Sequence, residues 1–354
     1  MAESKGFISR NAGWIGALAA VGVAAGGVAA GVAANRYAKK RRARHTDPYI
    51  EEPFGELGYD EQLTVTDEDG VDLYVEVVSG DRTPTLLYVH GFCLDMGTFH
   101  FQRRAFEGVY QQVLYDQPGH GRSGRLPKGE YTLDALGAGL RAVLEKAVPD
   151  GPIVLIGHSM GGMTIMALAE QAPELFKERV VGVVFVSTSA GRLNEATFGL
   201  PEVVSRFNRP LLPVVRGAGR LTTAMADRAR RASRELARLL TQRYGFGTAQ
   251  PSPALVHYVE KMNSSTSTEV IARYVNTLYT HSRLPALRVL RTVPVQVICG
   301  DADLLTPLVY SQEIVAELPD AELVVVEHGG HVVLLELADE VNDAIEQFLE
   351  RLSA

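Results

Sequence analysis

The sequence predicts an α/β fold: a mostly parallel sheet flanked by helices, with a helical segment inserted between two core strands. Three observations predict it. From residue 61 on, short apolar runs of strand length alternate with helix-period patterns, as they do where crossover helices join parallel strands. One run, Ile153 to Ile156, leads through Gly157-His-Ser159-Met-Gly161 directly into a helix pattern, which places a serine on a sharp strand-to-helix turn. Between about residues 190 and 290 the rhythm lapses, and a connection of that length must carry structure of its own.

At 354 residues and 46% apolar composition the chain has ample material for a large core. Its net charge of −7 argues against a general nucleic-acid binder. Cys93 and Cys299 stand far apart with no partner spacing, so neither a disulfide framework nor a metal site is expected, and no cofactor is implied.

Residues 1–45 read as a hydrophobic anchor with a basic flank. Ala12 to Ala34 carry no charge and are long enough to span a bilayer as a membrane-type helix. Much of the run is Ala and Gly, leaving Trp14, Ile15, Leu18 and four valines to carry its hydrophobicity. Gly22 with Gly26, and Gly27 with Gly31, repeat the G-x-x-x-G spacing through which two membrane helices pair. Arg36, Lys39, Lys40, Arg41, Arg42 and Arg44 follow the run, whereas a cleaved signal carries its basic residues in front. The expectation is a single-pass membrane protein with the rest of the chain cytoplasmic, secretion being the alternative.

Residues 46–60, with Pro48 and Pro53, read as a linker, and residues 61–189 as the first part of the core. Gln62 to Thr66 and Val71 to Val77, separated by Asp69-Gly70, predict an antiparallel hairpin. Leu86 to Val89 and Gln112 to Tyr115 predict strands that run into glycine-bearing loops. Thr132 caps a predicted helix with apolar positions 133, 136, 140, 143 and 144 on one face. The helix after Ser159 continues to Glu170 and is stopped by Pro173. Val180 to Val186, Val293 to Cys299 and Leu323 to Val326 predict further strands, and Val341 to Leu352 a closing helix.

The inserted segment, residues 190–290, reads as a cap between the first core part and the second, residues 291–354. Its stretch Met225 to Leu240 has residues 225, 229, 232, 236 and 239 on one helical face and most of its arginines elsewhere. Fifteen Arg and Lys stand against six Asp and Glu in residues 190–290. That balance raises two expectations: a basic surface turned toward anionic lipid, or a solvated face paired with core carboxylates.

Five motifs in order carry a resemblance. They are His90-Gly91-Phe92, Asp116-x-x-Gly119-x-Gly121-x-Ser123, Gly157-x-Ser159-x-Gly161, Gly300-x-x-Asp303-x-x-x-Pro307 and Gly330-His331. The chain resembles the α/β-hydrolase superfamily over about residues 60–190 and 291–354, as a serine hydrolase of esterase or lipase type with an inserted cap.

A serine hydroxyl needs a base within reach, and the base a third group that fixes its tautomer. The resemblance implies Ser159 as nucleophile, Asp303 as acid and His331 as base, with Glu336 five residues on matching a common family pattern. Asp301 shares the loop of Asp303, and His328 precedes His331 by three residues; spacing to Pro307 favours Asp303, and position at a strand end assigns His328 to structure. The resemblance also assigns the two backbone donors of an oxyanion hole to Phe92 and Met160. His90, His120 and His158 read as structural or loop-positioning, Cys93 as a small buried side chain beside the donor loop, and Tyr244, Tyr258, Tyr274 and Tyr279 as packing.

These expectations converge on hydrolysis of a carboxylic ester of an apolar or lipid-like substrate through an acyl-enzyme on Ser159. The same residues would serve a thioesterase, acyltransferase, carbon–carbon bond hydrolase, peptidase or cofactor-free haloperoxidase. Serine stands where epoxide hydrolases and dehalogenases of the superfamily resemble one another in carrying Asp, which disfavours both. From another class, a catalytically silent, membrane-tethered binding protein would retain the fold without the chemistry.

Overall fold

The structure, a computed structural model, describes residues 47–127, 129, 131–195 and 238–353. Its strands are β1 (Glu61–Thr66), β2 (Asp72–Val78), β3 (Gly80–Val89), β4 (Gly108–Tyr115), β5 (Ile153–His158), β6 (Val180–Val186), β7 (Val295–Gly300) and β8 (Glu322–Val326). They form one sheet in the order β1-β2-β4-β3-β5-β6-β7-β8. The pairs β1–β2 and β2–β4 are antiparallel, and the remaining pairs are parallel.

The helices are α1 (His100–Ala105), α2 (Leu133–Ala147), α3 (Met160–Gln171), α4 (Pro173–Glu178), α5 (Pro253–Ser265), α6 (Thr268–Thr280), α7 (Ala286–Leu290), α8 (Leu308–Glu317), α9 (Val333–Glu336) and α10 (Ala338–Ser353). Thr132 Oγ1 accepts from the Ala135 amide and so caps α2. Pro173 ends α3 and opens α4 at its first turn, where a missing N–H costs nothing.

Burial explains the strand compositions. Ile153 to Ile156 and Val183 to Val186 are buried on both faces of the sheet, which is why they read as unbroken apolar runs. α3 is buried from Met160 to Ala169, whereas α10 buries only Ala338, Val341, Ala344, Ile345, Phe348 and Leu349 and turns acidic residues outward. Because β5, β7 and β8 are parallel, the loops after them emerge at one edge of the sheet, where sites collect in open α/β sheets.

The predicted linker is packed: the Phe54 ring stacks on Tyr258 at 4.4 Å, and Glu52 accepts from His100 Nε2 at 2.7 Å. Residues 47–51 and 252–254 group apart from the rest, and there Asp47 accepts from Ser252 Oγ and the Ala254 amide.

The single-pass membrane placement is corrected. Among the described residues no helix is long and apolar enough to cross a membrane. The 16-residue α10 and 15-residue α2 carry charged faces, and each is short of the roughly 20 residues a span requires. Residues 12–34, with Gly22, Gly26, Gly27 and Gly31, lie outside the described residues, as does Met225 to Ala237 of the arginine-rich stretch. The expectation rested on an Ala- and Gly-rich run, and those residues add little to insertion. Neither membrane association nor helix pairing is supported.

Candidate active site

Ser159 follows β5 and precedes α3 with φ +52° and ψ −118°, a conformation L residues rarely adopt and one that pushes the side chain out of the turn. The flanking glycines leave room for it. A Cβ at Gly161 would collide with the Val89 carbonyl, and one at Gly157 would come within 2.7 Å of the Gly162 nitrogen. The Ser159 amide donates to Val186 O at 2.9 Å, and its carbonyl accepts from Thr188 Oγ1 at 2.6 Å. The turn is therefore held from both sides by β6 and the loop after it.

Asp303 stands in the loop after β7. Its Oδ1 accepts the Leu305 and Thr306 amides at 2.8 and 3.0 Å. Its Oδ2 accepts from His331 Nδ1 at 2.9 Å and from Thr306 Oγ1 at 2.8 Å. Burial alone would raise this carboxyl; the His331 imidazole beside it and the donated hydrogen bonds outweigh burial and hold it below the usual carboxylate range. The other ring nitrogen, His331 Nε2, lies 3.0 Å from Ser159 Oγ. The structure thus joins Ser159, His331 and Asp303 into one hydrogen-bonded line with the His331 tautomer set by the carboxylate.

Asp301 and His328 do not join that line. Asp301 Oδ1 accepts the His328 amide at 2.7 Å and so closes the turn between their loops. Phe92 and Met160 both line the cavity at Ser159. Met160 is the first residue of α3, so its N–H has no intrahelical acceptor. Neither amide donates to a protein acceptor among the described residues.

Three further residues hold His331 in place. His158 Nε2 donates to the His331 carbonyl at 2.9 Å, and burial drops the His158 pKa to about 3, so the ring stays neutral. Glu336 accepts the Gly330, Gly247 and Thr248 amides at 2.8, 2.9 and 3.0 Å, tying the His331 loop to residues 247 and 248. Thr306 Oγ1, besides reaching Asp303, lies 3.2 Å from His331 Nδ1 and 2.8 Å from Ser187 O. Sequence reasoning missed Thr306; its place three residues after Asp303 and before Pro307 was the available signal.

Above this line opens a cavity of about 450 Å³, walled among others by Phe92, Met163, Leu193, Val259, Ile271 and Leu278. Tyr244 and Tyr279 also face it. Tyr258 and Tyr274 pack instead, the Tyr274 hydroxyl donating to Pro118 O at 3.0 Å. Cys93 lines the cavity, and burial pushes its thiol up to about 12, far from a thiolate at neutral pH. His90 is fixed by its Nδ1–H to Gly91 O and by the Gln117 amide on Nε2, both at 2.8 Å. His120 Nδ1 lies 3.1 Å from Pro118 O. Among the described residues no three or more His, Cys, Asp or Glu side chains are grouped to hold a metal ion.

A family model described as the alpha/beta hydrolase fold matches residues 84–337. The chain is an alpha/beta hydrolase. This hydrolase is similar to a pimeloyl-[acyl-carrier protein] methyl ester esterase of Stenotrophomonas maltophilia, 28% identical over 279 residues that cover 77% of this chain and 95% of the relative. It is also 25% identical over 275 residues to a Burkholderia thailandensis polyketide synthase, covering 78% of this chain and 12% of that much longer protein. Among solved structures it shares the fold of a thermophilic esterase from Thermogutta terrifontis, with a TM-score of 0.63 at 22% identity, over 83% of this chain and 100% of the other.

Buried histidines are expected to make the hydrolase acid-labile. Burial lowers His120 and His281 to about 4 and His158 to about 3, and holds His90 well below 6.5. Below about pH 6.5 the unfolded chain binds protons that the folded one refuses, so stability falls as pH drops toward 4. Burial and the Asp95 charge raise Asp116 to about 7, which works in the opposite sense as pH falls below 7. Four histidines outweigh it. Thermal melts should give a plateau above about pH 7 and a falling Tm between about pH 6.5 and 4; a Tm that is flat or rises over that interval would contradict the assignment.

Proposed function

We propose that this hydrolase cleaves a carboxylic ester with an apolar acyl portion, through an acyl-enzyme on Ser159. The observation that carries the reading is the line from Ser159 Oγ through both His331 nitrogens to Asp303, at 3.0 and 2.9 Å, opening into a cavity walled by apolar side chains. Ser159 Oγ attacks the ester carbonyl carbon while its proton passes to His331 Nε2. Asp303 stabilises the imidazolium, and the Phe92 and Met160 amides stabilise the oxyanion. Collapse of the intermediate expels the alcohol, which takes the proton from Nε2. Water then attacks the acyl-enzyme, giving its proton to Nε2, and the acid leaves as Ser159 recovers its proton. The described part of residues 190–290 supplies Val259, Ile271 and Leu278 to the cavity, which supports reading this segment as the cap that shapes the acyl site.

Ester chemistry is also what the name of the Stenotrophomonas relative states for that protein. A fluorophosphonate probe and a chain-length series of p-nitrophenyl esters test the reading on the wild-type chain. The probe should label one serine. kcat/KM should rise from acetate to a medium-chain ester, since each buried CH₂ contributes about 0.8 kcal/mol, and then fall when the chain outgrows the cavity. No labelling together with no hydrolysis at any chain length would remove the proposal.

A further inference from the structure

One wall of the acyl cavity breaks the apolar rule. On α5, Leu255 and Val259 lie one turn apart on a buried row, and the next residue on that row, four after Val259, is Asn263. Asn263 lines the cavity among Leu240, Val259, Ile271 and Val275, with Thr241 beside it. Its Nδ2 donates to Thr241 Oγ1 at 3.2 Å. Thr241 is 9% exposed and sits in the helical stretch at residues 238–245, so two separate segments bring their polar groups to one point of a mostly apolar wall.

That bond uses one N–H of the Asn263 amide; its carbonyl oxygen, an acceptor with two lone pairs, has no hydrogen-bond donor among the described residues. A leucine in the same place would continue the row at a gain in stability, and a polar side chain held against local pattern is the mark of a functional position. Apolar ligand surface against Asn263 would strip the amide of water without replacing its hydrogen bonds. A ligand group that donates to the free carbonyl oxygen would satisfy it.

We infer that Asn263, held by Thr241, is a specificity-determining residue that selects acyl groups bearing a hydroxyl or amide N–H within an apolar chain. The inference rests on the ester reading above and names its substrate class: hydroxylated or amide-containing acyl esters, rather than plain alkanoates. Sites that hydrogen-bond a substrate hydroxyl discriminate strongly against analogues lacking it, because the protein group is then left unpaired.

The test compares methyl octanoate with its 3-, 5- and 7-hydroxy derivatives, following acid release by titration, for the wild type, Asn263→Leu and Thr241→Val. For at least one hydroxy ester the wild type should have a kcat/KM about 10-fold or more above that of methyl octanoate. Asn263→Leu should lose this preference, its ratio of hydroxy-ester to methyl octanoate kcat/KM falling to about 1 or below, and its Tm should rise. Thr241→Val, which removes the bond that orients the amide, should reduce the preference without reversing it. A wild type that prefers methyl octanoate over every hydroxy ester, or an Asn263→Leu variant that keeps the wild-type preference, would overturn the inference. If the wild type hydrolyses none of the four esters, the ester reading is judged separately by the fluorophosphonate probe and the p-nitrophenyl series. Thermal stabilisation by the free hydroxyoctanoic acids then decides the acyl site: a larger shift than with octanoic acid, lost in Asn263→Leu, sustains it, and equal shifts sink it.

Discussion

Ser159→Ala is expected to abolish both ester hydrolysis and fluorophosphonate labelling, with kcat falling about 10⁶-fold, while the far-UV spectrum and Tm stay close to wild type. Among the described residues the hydroxyl makes one hydrogen bond, to His331 Nε2, and the turn is held by the Ser159 backbone through Val186 and Thr188; Ala removes the proposed nucleophile and none of those supports. The positive φ of Ser159 strains Ala no more than Ser, since both carry a Cβ. His331→Ala should lose as much, and the double variant no more than either alone, because nucleophile and base act as a unit. Undiminished labelling of Ser159→Ala would place the reactive hydroxyl elsewhere.

Much of this site was legible because its parts are local. The elbow needs a strand, two spaced glycines and a helix in immediate succession, and residues 153–171 carry all three. Val180 to Val186 was readable to the residue, since a strand buried at every position but Val181 leaves a near-continuous apolar run. Thr306, Glu336 and the His158 link to His331 were not readable as contacts. Each depends on which loop lies opposite, and Glu336 meets Gly247 and Thr248 from 89 and 88 residues away in sequence. Asn263 was hidden for a related reason: an inward-facing Asn on α5 differs from a surface one only once the cavity is known. The membrane reading is not supported: no helix among the described residues is long and apolar enough to cross a membrane, and the Ala- and Gly-rich run it rested on lies outside them.

Asp303→Asn should lower kcat by about 10⁴, and Asp301→Asn should change it by no more than a few-fold. The first effect follows from which oxygen is replaced. Oδ1 of Asp303 already accepts two backbone amides, from Leu305 and Thr306, so an asparagine keeps its carbonyl there and turns its NH₂ to His331 Nδ1. An NH₂ can only donate, so Nδ1 must become the acceptor and the ring proton moves to Nε2, facing Ser159 Oγ. A base protonated on that nitrogen cannot take the serine proton. Thr306 strengthens the expectation, because its hydroxyl and amide both bond the carboxylate and leave the replacement little freedom to rotate. At Asp301 the relevant bond is the His328 amide to Oδ1, which an asparagine carbonyl accepts equally well, and the residue is exposed and does not touch His331. Steady-state kinetics on both variants, with Tm measured in parallel, separate the two roles: equal losses, or a larger loss at Asp301, would transfer the acid to Asp301 and with it the account of how His331 is oriented.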